Sequence, residues 1–201
     1  MSQPARIAIL ISGGGRTARN IHEACRDGRL AARVGLVVAH REDIAGVSRC
    51  RELGLRVAVV PPGDALADRI DACLAAAETD LVCLAGYLRR FRVGSRWAGR
   101  TLNIHPALLP RFGGKGMYGT RVHEAVLAAG ARESGCTVHE VDEEYDHGAT
   151  LVERRCPVLA GDTADSLADR VYREELAAYP QAIAMMLERI TRTTTGAGLA
   201  G

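Results

Sequence analysis

Aromatic residues are scarce in this sequence: two Phe, one Trp and five Tyr among 201 residues. Whatever core forms must be built from aliphatic side chains. Closely spaced cysteine pairs are absent as well. The six cysteines stand at 25, 50, 73, 83, 136 and 156, with no Cys-x-x-Cys. That scatter argues against a disulfide framework and for a reducing compartment. Cys73 and Cys83 lie in apolar stretches and read as small core residues. Charge of one sign does not dominate. Lys and Arg total 26 against 24 Asp and Glu, a net charge of +2, and no long single-sign run occurs. Nothing therefore draws the chain to nucleic acid or to an acidic membrane surface. No apolar run approaches the ~20 residues that span a bilayer. The N-terminal MSQPARIAILISGGG has no basic leader, no long apolar stretch and no small-residue cleavage site. We expect no secretion signal and a cytoplasmic location.

What is present is a globular composition, 47% hydrophobic and 25% charged. Short apolar, β-branched runs at Arg6–Ile11, Arg33–Ala39, Arg56–Val60, Asp80–Ala85 and Thr101–Ile104 read as strands covered on both faces. Between the first four lie segments of helical spacing: Thr17–Arg26, Ile44–Leu53 and Ala65–Ala77, the last with Ile70 and Leu74 on one face. Strand–helix alternation predicts an α/β fold, a doubly wound, mostly parallel Rossmann-like sheet. Ser134–Val141 and Ala149–Val158 read as a late antiparallel strand pair around the turn Asp142–Gly148. Asp162-Thr163 offers a cap for a final helix that runs to about Arg189, with Pro180 kinking or interrupting it. Residues 1–190 are expected to form one domain. The Thr/Gly/Ala-rich tail 191–201 is expected to be unordered.

Gly13-Gly14-Gly15-Arg16-Thr17-Ala18 follows the first strand and opens a helix. Glycines let the backbone turn sharply and approach an anion, and the helix N-terminus presents N–H groups and partial positive charge to it. The segment also satisfies the Gly-x-Gly-x-x-Ala dinucleotide fingerprint. The acidic residue that a nicotinamide ribose wants after the second strand is missing, although Arg41 there suits a 2′-phosphate. A phosphate site, a nicotinamide site and a plain tight turn all remain open from this loop.

Leu102-Asn103-Ile104-His105-Pro106 is more informative. In a strand, Asn103 and His105 share a face while Ile104 points the other way. Pro106 ends the strand, so the pair sits at its carboxyl end, where parallel sheets bind ligands. An amide that donates to an oxyanion and an imidazole that moves protons suit acyl transfer. Glu143-Glu144-Tyr145-Asp146-His147-Gly148 supplies a candidate carboxylate, Asp146, to orient the ring and raise its pKa. A metal site is not expected. Cys136 and His139 would face opposite sides of a strand, and His123, His139 and His147 lack zinc-type spacing.

From about Ile7 to Ile190 the chain resembles the folate-dependent phosphoribosylglycinamide formyltransferase family of purine synthesis. The matching pieces are Ile11–Gly15, Leu84–Arg89, Leu102–Pro110, Val122–Val126, Ser134–His139 and Asp146-x-Gly148. The Asn-Ile-His-Pro-Ala-Leu-Leu-Pro run followed by Asp-x-Gly carries most of the specificity. The resemblance implies the formyltransferase fold and the catalytic trio Asn103, His105 and Asp146. It implies a substrate phosphate at Gly13, Gly14, Gly15, Arg16 and Thr17, and contact of Glu175 with the glycinamide side. The co-substrate implied is 10-formyltetrahydrofolate, its pterin among Leu88, Arg89, Arg90 and Phe91 and the loop Asp142, Glu143, Glu144 and Tyr145. Only small-molecule partners and a monomer or homodimer are implied.

Three departures from the family pattern stand out. Arg16 and Thr17 replace a small residue and an asparagine. The segment after Leu88-Arg89 is shorter. The loop Phe112–Gly119 is longer and richer in glycine, and reads either as a plain flexible loop or as a lid carrying Lys115. Alternatives are formyl transfer to another phosphorylated amine and a non-catalytic folate or phosphate binder. A nicotinamide oxidoreductase would leave the Asn-Ile-His-Pro strand end without a purpose.

Overall fold

The computed structural model describes residues 3–197. Seven strands form one sheet: β1 (Ala5–Ile11), β2 (Ala32–Ala39), β3 (Val57–Val59), β4 (Leu81–Leu84), β5 (Thr101–His105), β6 (Glu133–Glu140) and β7 (Thr150–Pro157). Their order is β3-β2-β1-β4-β5-β6-β7. Strands β1 to β5 pair parallel, and β6 and β7 join antiparallel, as the sequence pattern predicts. In β1, residues Ile7 to Ile11 are fully buried, which suits an apolar run at the centre of a sheet covered on both faces.

The helices are α1 (Arg16–Arg26), α2 (Ala45–Glu52), α3 (Leu66–Ala76), α4 (Gly94–Trp97), α5 (Thr120–Ala128) and α6 (Ala164–Ala197). Two apolar layers result. One packs Ile7, Ile9 and Ile11 against residues of α1, α5 and α6; the other packs Ala8, Leu10 and Leu36 against Ile70, Leu74 and Trp97. From β1 the chain first winds outward to β2 and β3, then returns to β4 on the other side. The carboxyl ends of β1 and β4 thus diverge into a crevice, the place where such sheets bind ligands.

Helix α6 differs from expectation in two ways. It runs through Pro180 without interruption. Proline has no N–H for the carbonyl of Leu176, and the buried Asn20 of α1 supplies one instead, Nδ2 donating to Leu176 O at 3.2 Å. The helix also continues past Arg189 to Ala197, into the segment expected to be an unordered tail. Thr191 and Thr193 hydroxyls donate to the carbonyls four residues back, a mode threonine can adopt inside a helix. The rest of that tail, residues 198–201, lies outside the described residues. At the other end, the Thr163 hydroxyl accepts from Ser166 N–H at 3.2 Å while Ser166 Oγ accepts from Thr163 N–H at 3.0 Å, a reciprocal cap.

Candidate active site

A cavity of about 530 Å³ opens at the carboxyl edge of the sheet. Arg16 and Thr17 line it after β1, Leu88 to Phe91 after β4, Asn103 and His105 at the end of β5, Asp142 to Asp146 after β6, and Glu175 from α6. These places meet because the cavity sits at the sheet's switch point. Gly13, Gly14 and Gly15 are not among the lining residues. They shape the turn: the Gly13 carbonyl accepts from Gly46 N–H at 3.1 Å, and Gly15 opens α1 in the left-handed region at φ 72°. A Cβ at Gly46 would collide with the Gly13 carbonyl, so the second residue of α2 is a glycine because the loop presses against it.

The centre is a network of four side chains. Asn103 Nδ2 lies 3.2 Å from Asp146 Oδ1 and 3.1 Å from His139 Nε2. Asp146 Oδ2 lies 3.5 Å from His105 Nδ1, and Asp146 Oδ1 lies 3.5 Å from His139 Nε2. His105 Nε2 donates to the Phe112 carbonyl at 2.7 Å, and His139 Nδ1 donates to the Glu140 carbonyl at 2.7 Å. A carbonyl only accepts, so these partners place the ring hydrogens. His139 then accepts from Asn103 through Nε2, and both hydrogens of the Asn103 amide are engaged.

Burial pushes the His105 imidazole below its ordinary value, while Asp146 and the Phe112 carbonyl pull the other way. The ring therefore sits lower than the sequence reading expects, although Asp146 acts on it in the expected direction. Burial alone would raise Asp146; the neighbouring His139 and His105 rings and the Gly114 N–H bond at 2.9 Å outweigh it and hold the carboxyl below its usual range. Asp146 and Phe112 both adopt left-handed backbones, at φ 55° and 58°. Such conformations persist where surrounding contacts over-determine them, and here both residues hold His105.

The walls are pinned as well. Leu88 N–H donates to Ser12 Oγ at 2.9 Å, joining the loops after β1 and β4. Arg90 donates to the Glu143 carbonyl at 2.9 Å and to its carboxylate at 3.1 Å, joining the two segments expected to face a pterin. Leu88 and Tyr145, 51% and 48% exposed, leave apolar area facing the cavity that a flat ring can cover. Burial raises the Glu175 carboxyl to about 7, with Arg16 opposing. Among the described residues, no group of three or more His, Cys, Asp or Glu is arranged to hold a metal ion.

Two site residues escape the sequence reading. His139, 1% exposed, enters because β5 pairs with β6 and sets it directly opposite Asn103. His123 of α5 is 5% exposed and lines the same cavity with Nδ1 unpartnered. The alternation of β6, with His139 two places from Thr137 on the strand, was the available signal for the first; it needed the β5–β6 pairing to be read.

Known proteins resemble this chain in sequence and in fold. Residues 5–183 fit the family model described as formyl transferase. A chloroplastic phosphoribosylglycinamide formyltransferase of Arabidopsis thaliana is 43% identical over 192 residues, 91% of this chain; the chain spans 65% of that protein's length. A trifunctional purine biosynthetic protein of Drosophila melanogaster is 38% identical over 191 residues, which cover 90% of this chain and 14% of that protein. The crystal structure of glycinamide ribonucleotide transformylase 1 from Symbiobacterium toebii superposes with a TM-score of 0.86 at 36% identity, covering 94% of this chain and 90% of that one.

Proposed function

The chain belongs to the formyl transferase family, and we propose that it transfers the formyl group of 10-formyltetrahydrofolate to the amine of 5-phosphoribosylglycinamide in purine synthesis. The observation that carries this reading is the amide–imidazole–carboxylate network of Asn103, His105 and Asp146 on the floor of the cavity. The amine nitrogen bonds to the formyl carbon, and the bond from that carbon to the folate nitrogen breaks. The amine gives up a proton and the folate nitrogen gains one.

His105 is neutral at the outset because burial disfavours its charge. The Phe112 carbonyl and Asp146 stand at its two nitrogens, so the imidazolium that forms after proton uptake has an acceptor at each N–H. The ring accepts the amine proton and returns it to the leaving nitrogen. Asn103 stabilises the oxyanion by exchanging its bond to Asp146 for one to the new charge. Asp146 holds and tunes His105. The phosphate lies at the α1 N-terminus with Arg16 and Thr17, Glu175 faces the glycinamide end, and the folate ring lies between Leu88–Phe91 and Asp142–Tyr145. A monomer or a homodimer goes with the reading. A cytoplasmic setting goes with the reading, supported by six free cysteines.

The test mixes protein, 10-formyltetrahydrofolate and phosphoribosylglycinamide and follows the absorbance of the deformylated folate. Amine-dependent turnover is expected. Turnover without the amine would mark a hydrolase, and turnover only with a different phosphorylated amine would move the acceptor assignment.

A further inference from the structure

A second cavity, of about 320 Å³, shares no lining residue with the first. Its size is at the low end of the range for small-molecule sites. Leu108, Leu109 and Phe112 give it an apolar wall. Five charged side chains stand around that wall, three arginines and two glutamates. Arg155 alone engages both carboxylates, Glu133 at 3.2 Å and Glu153 at 2.6 Å. Arg111 has only the Phe112 ring, 4.9 Å from its centroid, and the Arg132 side chain makes no hydrogen bond or ion pair among the described residues. Three positive charges against two negative leave one positive charge over an apolar surface, which a monoanion with an apolar body complements. The lining also includes Ser134, 1% exposed, whose hydroxyl has no partner within the chain.

The wall of this cavity belongs to the segment that positions the catalytic pair. Thr137 Oγ1 accepts from Leu109 N–H at 3.1 Å and donates to the Ala107 carbonyl at 2.7 Å, which clamps one end of the segment to β6. Beyond the clamp, Phe112 takes its left-handed backbone and offers its carbonyl to His105 Nε2 at 2.7 Å. Gly113 lies between the two sites: a Cβ there would collide with Leu109 Cδ2 and meet Asp146 Cβ at 3.3 Å. A left-handed backbone at a residue with a side chain persists while the contacts on it hold. One of those contacts on Phe112 is the Arg111 guanidinium on its ring.

We propose that this second cavity is a regulatory binding site for a small monocarboxylate with a branched apolar body: the body lies against Leu108, Leu109 and Phe112, the carboxylate is held by Arg111 and Arg132, and drawing Arg111 off the Phe112 ring loosens the carbonyl that holds His105. The ligand takes no part in the reaction proposed above. A carboxylate held by a guanidinium fork is charge-assisted on each bond and stronger than a guanidinium–ring contact at an exposed place, so the exchange runs toward the ligand. The bond it disturbs belongs to His105 and not to the residues placed around either substrate. Occupancy therefore slows turnover and leaves the binding of both substrates as it was.

The experiment titrates the full chain by calorimetry with 4-methylpentanoate and with its neutral match, 4-methylpentanamide, and follows formyl transfer with each present. The acid is expected to bind and the amide to give no heat. The acid should lower kcat and leave both KM values unchanged. Arg132 sits on an exposed bend between α5 and β6, so Arg132→Ala should turn over as the wild type does when no acid is present. That variant should bind the acid about tenfold more weakly, the loss of a charged hydrogen bond, and need correspondingly more of it for inhibition. Inhibition that competes with the folate or with the acceptor would put the acid in the first cavity and overturn the proposal, as would binding that Arg132→Ala leaves unchanged. A wild type that gives no heat would also overturn it, and self-association weakened by Arg132→Ala would then give the face to a second copy of the chain. Calorimetry does not depend on the reaction: acid bound through Arg132 in a protein that transfers no formyl group would uphold the site and refute the proposed function.

Discussion

His105 has a partner at each nitrogen, and the two differ in kind: a carbonyl at 2.7 Å that already holds a hydrogen, and a carboxylate at 3.5 Å that waits for one. The difference makes the ring a proton acceptor whose charged form is pre-solvated by the protein. Replacing it removes proton transfer while leaving the cavity walls in place. His105→Ala should lower kcat by about 10²- to 10⁴-fold, the range for loss of a positioned acid–base group, with much smaller changes in both KM values; steady-state kinetics with each substrate varied would show it. Asp146→Asn tests the tuning. Asp146 raises the His105 pKa against burial, so its neutral replacement should lower that pKa further. The acidic limb of the kcat profile, where His105 becomes protonated before the reaction, should then shift to lower pH, on a reduced plateau. A limb that stays in place would show that another group sets it.

Helix α6 shows how an element can break a local rule when a neighbour supplies what the rule removes. Pro180 orphans the Leu176 carbonyl, and Asn20 satisfies it at 3.2 Å. Asn20→Ala leaves that carbonyl unpaired in a partly buried place and should destabilise the protein by about 1–3 kcal/mol. Pro180→Ala restores the helix's own N–H, so the asparagine change should be milder in that background. Denaturant melts of the two single variants and the double variant form a cycle, and strict additivity would refute the pairing. The same example marks what the sequence makes legible. The strands β1, β2 and β4, the glycine turn and the β6–β7 pair all follow from short-range pattern, because a strand buried on both faces is apolar in a run and a helix repeats every three or four residues. The continuity of α6 does not, since it depends on a side chain 156 positions away. His139 is hidden for the same reason: its place beside Asn103 is fixed by the β5–β6 register, and no local pattern states which strands pair. Helix α5 starts just after Gly119, at φ 57°, straight after a glycine-rich loop, with no side-chain cap to announce it. Asn103 and His105 were readable together because they share one strand face; Asp146 became a candidate only in combination with them, since its loop returns to them only in three dimensions.

Across the whole molecule, His105, His123, Asp146 and Glu175 gather around one cavity at the edge of the sheet, and their effects on stability oppose one another. Burial pushes His105 and His123 below the ordinary 6.5. The unfolded chain then binds more protons than the folded one as pH falls through that value, so stability drops on the acid side. Asp146, held below 3.8, adds to the same loss at lower pH. Glu175 works in the other direction. Burial raises it from 4.5 to about 7, with Arg16 opposing. Between those two values the folded state keeps a proton that the unfolded chain has released. Its contribution is therefore fully present below about pH 4.5 and is lost as pH rises through 7. A glutamine at 175 carries no such dependence. Glu175→Gln should melt higher than the wild type at pH 8, by about 2–4 °C for each kcal/mol recovered in a chain of this size, and the gap should close toward pH 5. The same variant should bind the acceptor less well if, as proposed, the carboxylate that the fold resists is the one offered to the substrate's amine end, a trade between stability and function. Thermal melts of the two proteins across that pH range decide it: a gap of equal size at pH 5 and pH 8 would mean that the Glu175 charge is not what the fold resists.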